Sequence, residues 1–187
     1  MDKLFITAAD LLEDSYELGL QILESGYRPT FIVGVWRGGT PVGIAIQEVL
    51  ELCKCPTNHF AIRTASYDAK MQQSDTVNVF GLQHMADVID VEDKLLIIDD
   101  VFDSGRSVEA IIDKLKAKCR RNTPDDIRVA TLYFKPNKNK TKRVPDFYLH
   151  ETDKWLVFPH ELRGCTEAEM RANKPLPERL FKQDLDI

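Results

Sequence analysis

Two short apolar runs, FIVGV at 31–35 and LLII at 95–98, constrain this chain more than any other feature. Each is too short for a helix, and each leads through a turn of small and polar residues into a helical period. The first passes through Trp36-Arg37-Gly38-Gly39-Thr40 into PVGIAIQEVLEL, with Thr40 placed to cap the helix and Pro41 in its first turn. The second lies within KLLIIDD at 94–100, and a helix is expected from about Ser107 through Leu115. A strand that is apolar on both sides must be covered on both sides. Strand, turn and helix in repetition therefore predict parallel βαβ units and an α/β fold, a parallel-rich central sheet flanked by helices.

The remaining segments fill out that plan. Thr7 and Asp10 have the spacing of a capping box, and Ala8, Leu11, Leu12, Tyr16, Gly19, Leu20 and Leu23 recur at helical period behind them. HFAIRT at 59–64 and Val129 to Phe134 read as further strands. Ser66 to Asn78 is polar and lacks an apolar period, so it is expected to be a loop of a length that suits a mobile lid. Beyond Asp146 come two short extended pieces, FYLHE and WLVF. A charged tail with Pro175 and Pro177 follows, read as a small cap and a weakly packed terminus.

The chain has 187 residues, 43% of them apolar, enough for one core; a single domain over 1–187 is expected. Its core would span about 30–135, and 136–187 with the N-terminus would form a hood and tail. Lys and Arg number 25 against 30 Asp and Glu, a net charge of −5 that opposes non-specific binding to nucleic acid or anionic membranes. The N-terminus has neither a secretory nor a transit character, and no apolar run approaches the ~20 residues that span a bilayer, so a cytoplasmic protein is expected. Cys53, Cys55, Cys119 and Cys165 show no paired metal-site spacing and read as reduced thiols. The Lys-rich PNKNKTKR at 136–143 reads as a polar loop.

In open α/β sheets ligands bind beyond the carboxyl ends of the strands. There the second run continues as Asp99-Asp100-Val101-Phe102-Asp103-Ser104-Gly105-Arg106-Ser107. Adjacent carboxylates accept hydrogen bonds from a ribose diol or hold a hydrated divalent cation. A Ser-Gly-x-Ser turn opening a helix offers free N–H groups, hydroxyls and the positive dipole end to a phosphate. Neither G-x-G-x-x-G nor G-x-x-x-x-G-K-[ST] occurs at this turn, which weakens a dinucleotide or nucleoside-triphosphate reading and leaves a sugar phosphate as the better match.

LLIIDDVFDSGRS resembles the phosphoribosyl diphosphate signature of the type I phosphoribosyltransferases. The resemblance implies that family's fold, with a small hood and a mobile lid, and a Mg²⁺-dependent substrate. Asp99 and Asp100 would hold the ribose 2- and 3-hydroxyls and, with Glu161, the metal, in part through water. Ser104, Gly105, Arg106 and Ser107 would cradle the 5-phosphate, and Asp103 would face N7 of a purine as the catalytic residue. Arg37-Gly38-Gly39 resembles the family's diphosphate loop, where glycines let backbone N–H groups close on a bulky anion and the guanidinium pairs with its oxygens. A non-proline cis peptide is implied in that loop and is expected at Arg37-Gly38.

FKPNKNKTKRVPDFYLHETDKWLVFPHE at 134–161 resembles the base-recognition region of the 6-oxopurine branch. Lys135 would donate to the exocyclic oxygen, Trp155 would cover the ring, and Leu156 would offer backbone groups to the base edge. Ser66-Tyr67 resembles the purine-salvage lid. Pro159-His160-Glu161 departs from the family pattern, which leaves the metal role of Glu161 open. Over residues 30–161 the resemblance implies transfer of a 5-phosphoribosyl group to N9 of hypoxanthine, guanine or xanthine in purine salvage. The partners would be phosphoribosyl diphosphate and the base, with no nucleic acid and no membrane, in a homodimer or homotetramer. Two alternatives stay open: a regulatory phosphoribosyl-diphosphate-binding protein that docks on nucleic acid, and a transferase for another base.

Overall fold

The structure, a computed structural model, describes residues 2–67 and 73–181. In chain order its strands and helices are β1 (Lys3–Phe5), α1 (Ala8–Glu24), β2 (Phe31–Trp36), α2 (Gly39–Leu52), β3 (Asn58–Tyr67), β4 (Gln73–Phe80), α3 (Leu82–Val88), β5 (Lys94–Phe102), α4 (Arg106–Cys119), β6 (Asp126–Phe134), β7 (Phe147–Glu151), β8 (Trp155–Val157) and α5 (Glu167–Asn173). Among the described residues no helix is long and apolar enough to cross a membrane.

The chain forms two compact units. The larger, Leu12–Asp153, is built on a six-stranded sheet in the order β4-β3-β2-β5-β6-β7, parallel throughout except for the antiparallel pair of β3 and β4. This is the predicted α/β architecture. Leu95, Leu96, Ile97 and Ile98 on central β5 are all completely buried, each contributing roughly 1.5–3 kcal/mol from lost water contact. Alternate residues serve opposite faces: Phe31, Val33, Leu95 and Ile97 join Met85 of α3 and Ile111 and Leu115 of α4, while α2 packs over β2 and β5 on the other face. The smaller unit, Met1–Leu11 with Lys154–Ile187, pairs β1 with β8 in parallel, Leu4 opposite Leu156.

Several local expectations change. Ser66 to Asn78 is strand at both described ends, because β4 pairs antiparallel with β3 and its Val79 packs against the core. An edge strand exposes one face, so its composition is too polar for an apolar period to show. The tail is not without structure: α5 begins with a capping box in which Glu169 N–H donates to Thr166 Oγ1 and Thr166 N–H donates to Glu169. The box at the start of α1 forms as expected, Asp10 N–H donating to Thr7 Oγ1 at 3.1 Å.

Candidate active site

The link from β2 to α2 is Arg37 and Gly38 alone, so the helix must start directly over the sheet. Its backbone lies against the end of β5: a Cβ at Gly38 would overlap the Asp100 carboxylate, and one at Gly39 the Ile98 carbonyl oxygen. The cis peptide is Trp36–Arg37, one bond before the expected Arg37–Gly38. Gly38 takes the N-cap position without a side-chain hydrogen bond, and Thr40, expected as the cap, sits inside the helix. Its buried hydroxyl has no hydrogen-bond partner among the described residues. The Arg37 side chain is exposed.

At the end of β5 each aspartate accepts from the next N–H: Asp99 from Asp100 at 3.0 Å, Asp100 from Val101 at 2.8 Å. Asp100 is 8% exposed, while part of the Asp99 residue reaches solvent. Burial of the Asp99 carboxyl and the charge of Asp100 beside it push that group well above the usual carboxylate range. Three residues beyond Asp100, Asp103 is half-exposed and forms an ion pair with the buried ammonium of Lys135 at 3.3 Å. Lys135 directly follows β6 and is fixed to β5 by its own N–H, which donates to the Phe102 carbonyl at 2.9 Å. The register of β5 with β6 thus brings two predicted residues, 32 positions apart in sequence, into contact.

Ser104 to Ser107 turns into α4 with Gly105 at φ +76°, a conformation that strongly favours glycine. Ser104, Gly105 and Ser107, with Asp99, Phe102 and Asp103, line a small pocket of about 70 Å³. Carboxylates stand at one side of it and the open N-terminus of a 14-residue helix at the other, an arrangement suited to a sugar phosphate. A larger cleft of about 200 Å³ between α2, β2 and β3 is lined mainly by apolar groups and holds none of the predicted residues.

The Lys-rich segment is more than a polar loop. Lys140 N–H donates to the Ser104 carbonyl at 3.0 Å, and Thr141 Oγ1 would lie 2.5 Å from a Cβ on Gly105. Asn139 shapes the segment, its side chain accepting from Thr141 N–H at 2.9 Å and donating to the Arg143 carbonyl at 2.8 Å. The Asn-x-Thr spacing, read as an Asx turn, is the sequence signal that would have found this support.

In the smaller unit Trp155 is half-exposed and Leu156 buried, both on β8. Glu161 closes a turn there: its Oε2 accepts from Phe158 N–H at 3.1 Å, and its N–H donates to the Phe158 carbonyl at 2.9 Å. Ser66 and Tyr67 end β3, and residues 68–72 of the expected lid lie outside the described residues. Among the described residues no cluster of three or more His, Cys, Asp or Glu side chains is arranged to hold a metal ion.

Residues 8–163 match the phosphoribosyl transferase domain. The chain belongs to that family. The enzyme's fold is similar to that of a purine phosphoribosyltransferase from Pyrococcus horikoshii, 26% identical over 89% of this chain and 99% of the other, with a TM-score of 0.67. A hypothetical protein from Neisseria gonorrhoeae with bound ppGpp is 22% identical over 87% of this chain and 91% of its own, TM-score 0.70. A xanthine-guanine-hypoxanthine phosphoribosyltransferase from Helicobacter pylori is 22% identical over 84% and 92%, TM-score 0.62. No curated protein sequence matched the chain. For a phosphoribosyl transferase, the pocket between Asp99 and Ser107 is at the strand ends where this fold class binds ligands.

Proposed function

We propose that this transferase moves the 5-phosphoribosyl group of phosphoribosyl diphosphate to N9 of a 6-oxopurine, hypoxanthine, guanine or xanthine, giving the nucleoside 5-monophosphate and diphosphate. The reading is carried by the Asp103–Lys135 pair, an acceptor and a buried donor 3.3 Å apart. A 6-oxopurine presents the complementary pair along one ring edge, O6 as acceptor and N7–H as donor. Adenine has an amino group at position 6, a donor that would face the Lys135 ammonium where O6 would have accepted from it, a mismatch worth several kcal/mol. The similarity to the Pyrococcus enzyme supports a purine as the acceptor.

In this reading Asp99 and Asp100 accept from the ribose hydroxyls, Ser104 to Ser107 hold the 5-phosphate, and Arg37 with the Gly38-Gly39 backbone receives the diphosphate. Trp155 covers the ring, Leu156 offers backbone groups to its edge, and Ser66-Tyr67 belongs to the lid that excludes water. At C1 of the ribose the N9 bond forms as the bond to diphosphate oxygen breaks, and Asp103 takes up the proton the purine loses. The paired carboxylates fit Mg²⁺, which uses one or two carboxylates plus substrate oxygens and so needs no larger acidic cluster. Asp99 and Asp100 would hold it, while the Glu161 carboxylate is engaged by the Phe158 N–H of its own turn. When bound the ion supplies positive charge to the departing diphosphate. A homodimer or homotetramer in the cytoplasm completes the proposal.

The test is incubation with phosphoribosyl diphosphate, Mg²⁺ and a panel of bases, following monophosphate formation by absorbance. Product is expected from a 6-oxopurine and none from adenine or uracil, and chelation should stop the reaction. Turnover of adenine at a comparable rate would overturn the specificity assignment. Asp103→Asn should lower kcat by about 10²–10⁴-fold with phosphoribosyl diphosphate affinity retained.

A further inference from the structure

Lys174 is 8% exposed and follows α5, beyond the residues that match the family, which end at 163. Its ammonium has no carboxylate within ion-pair distance among the described residues. It donates instead to the Phe158 carbonyl at 2.5 Å and lies 5.8 Å from the Phe5 ring. Burial holds its amine below the ordinary lysine range, opposed by the nearby Cys165 and Glu161. An ammonium that is buried with one neutral hydrogen-bond partner among the described residues is a costly way to fill an apolar site, since methionine has similar length and no charge to desolvate. The residue is therefore better explained by what it holds than by packing.

What it holds is the Phe158–Glu161 turn. The Phe158 carbonyl already accepts from Glu161 N–H, Phe158 N–H donates to Glu161 Oε2, and the Phe158 ring stacks on His160 at 5.8 Å. Lys174 adds the second bond to that carbonyl, immediately after the strand that carries Trp155 and Leu156.

We infer that Lys174 is a positioning residue: it fixes the Phe158–Glu161 turn from the C-terminal segment and so sets the backbone that recognises the purine. The purine part rests on the function proposed above. Lys174 has no part in holding phosphoribosyl diphosphate, so the two substrates separate its role from general stability.

The test compares Lys174→Met and Lys174→Arg with the unaltered chain in steady-state kinetics and in amide hydrogen exchange over residues 155–161. Lys174→Met should raise KM for the purine about tenfold or more, with KM for phosphoribosyl diphosphate unchanged. It should also speed exchange at Phe158 to Glu161, and Lys174→Arg, which keeps a donor, should restore part of both. An unaltered purine KM, or equal rises in both KM values, overturns the inference, as does unchanged exchange in the Met variant. If the unaltered chain converts no purine, the proposed function fails while the exchange comparison still decides whether Lys174 fixes the turn. Should the Met variant not fold, the Arg variant decides: a purine KM and turn exchange closer to the unaltered chain than those of Lys174→Gln support the inference, and equality with Lys174→Gln overturns it.

Discussion

At Gly38 the need for glycine comes from packing, since its φ of −64° is open to any residue. A side chain there would overlap the Asp100 carboxylate, so the Arg37–Gly39 loop and the end of β5 fit together only without a Cβ. Gly38→Ala must displace one or the other, and should raise KM for phosphoribosyl diphosphate about tenfold or more with the purine KM little changed. An unaffected KM would show that the loop yields freely. Thr131 poses the opposite problem. It stands in register with Asp99, is completely buried, and its hydroxyl finds no partner among the described residues. A buried hydroxyl without a hydrogen bond costs about 1–3 kcal/mol, so Thr131→Val should stabilise the folded chain by about 1 kcal/mol and raise Tm by about 2–4 °C. A lower Tm would mean the hydroxyl is satisfied in solution, with Asp99, its register partner, a candidate acceptor.

At the scale of elements, the turn from Ser104 to Ser107 depends on the segment that follows β6. Asn139 holds that segment in shape and Lys140 joins it to Ser104, so Asn139→Ala should weaken phosphoribosyl diphosphate binding several-fold. Asn139→Asp, which keeps the acceptor for Thr141 N–H and loses the donor to Arg143, should fall between. Titration calorimetry checks both, and equal affinities would reduce the segment to a bystander. β2, β5 and the helices after them were legible because FIVGV and LLII are buried on both faces, a condition written wholly in their own residues. β1 was not, because three residues become a strand only by pairing with β8, about 150 positions away. α3 buries just Leu82 and Met85, too few for a period to register. In the site, the acidic turn could be read directly. Family resemblance gave Asp103 and Lys135 their separate roles toward the base, but their contact could not be read, since sheet register decides it, and Thr40 was misread as a cap because the close approach of Gly38 and Gly39 to β5 sets where α2 starts.

On the scale of the whole chain, its two ends meet in one unit, and a titratable contact joins them. Lys3 of β1 donates to both Glu169 oxygens of α5, at 2.7 and 2.9 Å. With the Thr166 N–H, this holds the Glu169 carboxyl below its usual 4.5. In the pH range between the lowered folded value and 4.5 the unfolded form binds more protons than the folded one. The contribution is therefore complete above about pH 4.5 and fades as pH falls through the folded value. The pair is only partly buried and lies at the surface, so its effect is local, and it should be read as protection of α5 amides rather than as a shift in global stability. Amide exchange measured from about pH 6 down to about pH 3, corrected for intrinsic rates, should show α5 losing protection in this window. Glu169→Gln should abolish the pH dependence and leave α5 less protected throughout. Because Lys174 N–H donates to Met170 O at the end of α5 while its ammonium holds the Phe158 carbonyl, the Phe158–Glu161 turn should loosen over the same pH range. Loss of protection in α5 with the turn unchanged would separate the helix from the turn and leave Lys174 no path between them.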